Sequence, residues 1–219
     1  MVVEVDYAPD AEPYTGSAGA LGDTWSLFQN NAAALFADPD KRLEIPSDLS
    51  QMQQVDVVGE NFSAEEILTA AGQHRNLRSI GELATFYVLW LDGYFRDDAG
   101  ERRNVLGVSL GDTGVVAMFK PVIASARSLV TPYLENFVEQ STLVHEFGHA
   151  VGLVNNGIPL ASAHHDAAHG AHCADESCVM FYANEGVNDA RDFALKYIRS
   201  GNTVLYGDEC LGDVAGVRQ

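Results

Sequence analysis

Basic residues are scarce in this chain. Its 13 Lys and Arg face 31 Asp and Glu, a formal net charge of −18 over 219 residues. Phosphate recognition needs clustered Lys and Arg, so nucleic acid and anionic lipid are excluded as expected partners. The acidic excess reads as solubility charge, and no EF-hand spacing turns it into a calcium loop. No apolar run approaches the ~18–20 residues that a membrane-spanning helix needs, and no repeat or low-complexity segment stands out. The opening MVVEVDYAPD has neither the basic start nor the apolar stretch of a secretory signal. A cytosolic chain, or a mature form without its leader, is expected. Cysteine is limited to Cys173, Cys178 and Cys210. The Cys173/Cys178 spacing fits a small disulfide loop, a contribution to a second metal site, or plain thiols.

Apolar residues make up 47% of the chain, enough for one substantial domain or two small lobes sharing a cleft. Residues 1–22 read as an irregular or strand-like entry. Asp23 or Thr24 is a candidate cap for a helix through WSLFQNNAAALFA that ends before Pro39. A short strand is predicted at Gln54–Val58. Ser63 and Glu66 form a capping-box pattern that opens a helix reaching about His74, a surface residue to which no role falls. Strands follow at Ala84–Asp92, Asn104–Leu110 and Val115–Lys120, punctuated by turns at 97–100 and 111–114. Thr131 as cap and Pro132 in the first turn start a long helix with a broad apolar stripe and no Lys or Arg as far as Leu153. Residues 153–188 read as mostly irregular, and a last helix is predicted over Asn188–Arg199. The fold class expected is α+β.

The most informative stretch lies on that long helix: His145-Glu146-Phe147-Gly148-His149, with Gly152 three residues on. Residues four apart share a helix face, so both imidazoles can point at one zinc ion. Glu146 then stands beside any water the metal holds, as the general base of a zinc hydrolase must. Downstream, residues 163–180 read AHHDAAHGAHCADESCVM, with His164, His165, Asp166, His169 and His172 packed together.

These motifs resemble the metzincin clan of zinc metallopeptidases. In that clan a third ligand follows the glycine by three residues, a position held here by Asn155, a poor zinc ligand. His172-Cys173-x4-Cys178-x-Met180 is similar to the H-C-x4-C-x-M element of archaemetzincins, where the histidine is the third ligand. The later C-x-x-C pair of those proteins is represented only by Cys210, so the resemblance is to the clan and not a full match to that family. It implies one catalytic domain over 1–219, with an upper lobe of mixed sheet and helices to about 152 and a loop-rich lower lobe carrying a C-terminal helix from 153. It implies zinc on His145, His149 and His172, with His164, His165, Asp166 and His169 as the competing third ligands. A second metal at His164, Asp166 and His169 is a further expectation. Met180 is implied as the methionine turn beneath the metal, and Tyr182 as a donor to the developing oxyanion. Phe181 is a candidate lining of an apolar substrate pocket, and Val115–Lys120 a candidate rim strand along which an extended peptide could pair.

The function expected is zinc-dependent endopeptidase, working on protein or peptide substrates as a monomer. No cysteine lies upstream of Cys173 to act as a propeptide switch. A secreted or cell-surface location follows from the resemblance, with a cytoplasmic one as the alternative. Two other readings compete: a non-catalytic structural-zinc protein with four closed ligands, and a zinc hydrolase acting on a non-protein amide.

Overall fold

The computed structural model of the chain describes residues 1–18, 22–36 and 42–217. Its centre is the strand β4 (Thr85–Leu91), buried at every position but one. It is a continuous apolar run because both faces are covered, as parallel strands inside a sheet require. β4 pairs in parallel with β1 (Val2–Tyr7) on one side and β8 (Val115–Phe119) on the other. β1 also pairs in parallel with the two-residue strand β2 (Gln53–Gln54), and β8 pairs antiparallel with β7 (Gly107–Ser109), giving the order β2-β1-β4-β8-β7. The class is α+β, as expected.

Two strand expectations are corrected here. The rim is β7, and Val115–Phe119 lies inside the sheet. The strand predicted over Gln54–Val58 is only Gln53–Gln54, because β1 has run out of partners beyond Tyr7, whose carbonyl takes the Val55 N–H. A second sheet, β3 (Asn61–Phe62), β5 (Tyr94–Asp97) and β6 (Gly100–Arg102), carries the hairpin turned at 97–100.

Helix α1 (Ser26–Leu35) follows Asp23, whose side chain accepts from the Trp25 N–H; the continuation toward Pro39 falls on residues 37–41, outside the described residues. Helix α2 (Ala64–His74) carries the full reciprocal capping box between Ser63 and Glu66. β8 runs straight into a short helix, α3 (Lys120–Ala124), that periodicity could not separate from the strand. The long helix α4 spans Leu134–Val151 and starts later than predicted. Ser128 Oγ accepts from the Val130 and Thr131 N–H groups and holds that stretch as a turn, and Tyr133 enters the helix at a left-handed φ of 62°. Gly152, at φ 97°, ends α4 with its N–H on the Gly148 and His149 carbonyls.

Phe147 fixes the back of α4. Its ring meets Phe28 of α1 edge-on at 5.2 Å and Phe86 of β4 at 5.0 Å. Further along the helix, Glu139 is completely buried against Lys120 at 2.6 Å, and Lys120 in turn lies over the Tyr14 ring. Helix α5 (Val187–Ser200) packs on α4, and a final helix α6 (Asp208–Val217) closes the described chain. Among the described residues no helix is long and apolar enough to cross a membrane.

Candidate metal centre

With Phe147 turned into the core, His145, Glu146 and His149 occupy the opposite side of α4. The two histidine Nε2 atoms stand 3.1 Å apart. His172 arrives from the loop after Gly152 and completes a triangle, with ring centroids 5.3 Å from His145 and 4.9 Å from His149. Backbone carbonyls set the ring orientations. Val179 O lies 2.7 Å from His145 Nδ1, and His169 O 2.5 Å from His172 Nδ1. With Nδ1 donating to a carbonyl, each Nε2 presents its lone pair inward, as metal-ligating histidines do.

Burial is the main force holding two of these rings neutral. It takes His145 down to about 4 and, with its two histidine neighbours adding to the effect, His149 down to about 2. His172 is the exception: burial opposes its cation, but the Glu185 carboxylate and the His169 carbonyl outweigh that and raise it. Its Nε2 is buried and faces the Glu185 carboxylate at 3.1 Å. Three converging imidazole nitrogens are a donor set that suits zinc, so the residues fit the ion.

The structure adds a member that sequence reasoning missed. One donor atom from each of His145, His149, His172 and Glu185 lies within 4.8 Å of every other. Glu185 closes the 3-10 turn Tyr182–Glu185, beyond any helix or motif, and no spacing rule pointed to it. Asn155 is exposed, at a left-handed φ of 62°, just past the helix end.

Glu146 is buried on the rim-strand side. A Cβ at Gly107 of β7 would stand 2.9 Å from Glu146 Cγ, so the strand reaches this close only as glycine. Burial first, and the Glu185 charge second, push the Glu146 carboxyl up to about 8. Met180 is fully buried beneath the helix: a Cβ on Gly148, between the two α4 histidines, would run into its Sδ. Tyr182 is half-exposed, and its ring lies flat on His169, with centroids 3.7 Å apart and planes 4° apart. Phe181 stands next to it.

The expected second metal group is broken up. Asp166 and His169 pair with each other at 2.7 Å near the surface, and His165 lies 2.6 Å from the Gly170 carbonyl. His164 turns away from both into a buried pocket with the cysteines, all three of which are free thiols. The disulfide option for Cys173 and Cys178 is therefore not taken. His164 Nδ1 lies 3.4 Å from Cys173 Sγ and 3.9 Å from Cys210 Sγ, and Cys178 Sγ is 3.5 Å from Cys210 Sγ. Donors on a tetrahedral zinc, with metal–sulfur near 2.3 Å and metal–nitrogen near 2.0 Å, stand about 3.5–3.8 Å apart. On its other side, His164 Nε2 meets the buried Asp213 carboxylate at 2.9 Å. The Asp175 and Gly207 N–H groups point at the Cys173 and Cys178 sulfurs. The adjoining Cys178 and Cys210 thiols, together with His164, pull the Cys173 pKa down and favour its thiolate.

No protein-family model matches the sequence, and no curated protein does either. Solved structures do. The archaemetzincin of Methanopyrus kandleri aligns over 100% of this chain and 96% of its own, with a TM-score of 0.57 and 11% identity. A zinc-dependent peptidase from Methanocorpusculum labreanum aligns over 97% and 99%, at a TM-score of 0.51 and 11% identity. The archaemetzincin of Archaeoglobus fulgidus, solved with malonate, covers the same shares at 0.50 and 14%. The chain thus shares its fold with archaemetzincins from end to end.

Proposed function

We propose that this protein is a zinc-dependent endopeptidase. The observation that carries the reading is the inward triangle of His145, His149 and His172, with the buried Glu146 carboxyl next to His145 on the same helix. Zinc held by these three nitrogens supplies a Lewis acid that polarises a water and the scissile carbonyl.

The chain's own residues do the rest. The Val179 and His169 carbonyls keep two imidazoles in the tautomer that ligates. Glu146 Oε takes the proton of the attacking water and passes it to the leaving amine, and its buried place on α4, one residue from His145, suits it to both transfers. β7 is the open edge of the sheet, beside Glu146, and an extended peptide pairing along Gly107–Ser109 would bring its backbone across the centre. This moves the substrate edge from Val115–Phe119, which is covered, to β7. Phe181 contributes apolar surface next to the turn. Tyr182, released from His169, would bring a hydroxyl to the oxyanion. The buried His164, Cys173 and Cys210, with Cys178 3.5 Å from Cys210, would hold a second zinc of structural kind.

Glu146→Ala tests the reading. The variant should keep its zinc while cleavage of a mixed peptide library falls by about 10²–10⁴-fold. A native chain that holds zinc, cleaves nothing and melts when stripped of metal would leave the structural-zinc reading in its place.

A further inference from the structure

Glu185 has no role in the mechanism above, yet it is the residue most directly aimed at the three histidines. Its Oε1 lies 3.1 Å from His172 Nε2 and 4.0 Å from His145 Nε2. Nitrogen and oxygen donors on one tetrahedral zinc, each at about 2.0–2.1 Å, are separated by about 3.3–3.4 Å. The carboxylate oxygen therefore stands where a fourth donor would, at one corner of the shell. The contact with His172 is an imidazole–carboxylate pair at hydrogen-bonding distance, so the two groups already converge on one point as donors to a common ion would.

The position is built. Asn184, the residue before Glu185, is buried and donates from its side chain to the Cys178 and Val179 carbonyls at 3.3 and 2.9 Å. Val179 O is also the acceptor that orients His145. One carbonyl thus ties the turn carrying Glu185 to a zinc ligand. The Glu185 side chain itself is 58% exposed, and its ion-pair partners among the described residues are only the two imidazoles. It has a fixed root, a free tip and no competing cation.

We propose that Glu185 is a fourth protein ligand of the zinc when no substrate is bound, a carboxylate latch that a substrate carbonyl or water displaces. The proposal rests on the peptidase reading for the identity of the metal and goes beyond it in assigning the resting coordination. The latch accounts for a hydrolytic site whose fourth position is guarded, with the exposed carboxylate swinging out into solvent as substrate enters.

Acetohydroxamate, a small zinc chelating probe, tests it by calorimetry on the zinc-loaded full chain and on three variants of equal zinc content. Glu185→Ala removes the latch. Glu185→Asp keeps the charge but is one methylene too short to reach. Glu185→Gln keeps the shape and reports on folding. The latch predicts that Ala and Asp each bind the probe about tenfold more tightly than the native chain, the scale on which changes around a metal shell act. Tightening in Ala but not in Asp would mean simple charge repulsion and would overturn the proposal, as would equal binding in all four proteins. Peptide cleavage measured alongside separates the two readings. The predicted binding pattern without cleavage in any form keeps the latch and removes the peptidase. Equal binding with native cleavage does the reverse.

Discussion

His172 and Cys173 are neighbours in the chain and face two different clusters. On one side, three imidazoles and a carboxylate meet at the surface end of α4, with Glu185 reaching into solvent. On the other, a histidine and three thiols are completely enclosed, with His164 backed by the buried Asp213. The first has nitrogen and oxygen donors oriented by backbone carbonyls. The second has soft sulfur donors, N–H groups turned toward them and a carboxylate–histidine pair. The difference teaches that a count of histidines does not separate a reacting centre from a structural one. Access, the open edge of β7 and a titratable carboxyl at hand do.

The largest effect expected from disturbing this contrast is on the enclosed side. Structural zinc supplies folding free energy of about 10–16 kcal/mol in small zinc domains. Cys210→Ser should therefore cost a large part of the stability and release one zinc, read by thermal melting with metal analysis. A variant that melts like the native chain would remove the structural zinc from the account. His149→Ala is the counterpart: peptide cleavage should vanish while the melting temperature moves far less than in Cys210→Ser. Phe147→Ala attacks the wall the helix leans on, and cavity formation of this kind costs about 3–5 kcal/mol in a packed core. Denaturant titration reads this loss, and zinc affinity at the histidine site should fall with it. Asp213→Asn should weaken metal at the cysteine site by about 10–100-fold and leave cleavage near native, as chelator competition would report. The smallest expected change is for Gly148→Ala, which overpacks Met180 at a cost of about 1–3 kcal/mol. A neutral result there would mean that the methionine shifts freely.

Much of the histidine site was legible because its information is local. Two candidate ligands and the proposed base sit within five residues of one helix, and helical spacing alone puts them together. His172 entered through the resemblance of His172-Cys173-x4-Cys178-x-Met180 to the archaemetzincin element, and the structure brings it to the other two histidines. Glu185 was not legible, because the short turn that carries it has no periodicity to mark it. The second cluster was less legible for a different reason. His164 and Cys210 are brought together across 46 residues by α6, whose two glycines at 212 and 216 hide its helical pattern. The rim strand was misplaced because strand order in a sheet is not written in any one strand. Val115–Phe119 is apolar throughout for the reason that β7 and β4 flank it.

Stepwise removal of metal tests the central claim most directly. Native mass spectrometry on the zinc-loaded chain, titrated with a chelator and paired with a peptide-cleavage assay, follows each ion separately. The account predicts two zinc ions per chain, with cleavage lost as the first departs while the chain stays folded, and unfolding only as the second departs. Cleavage that survives loss of the first zinc, or a fold that collapses with it, would contradict the assignment of one reacting and one structural centre.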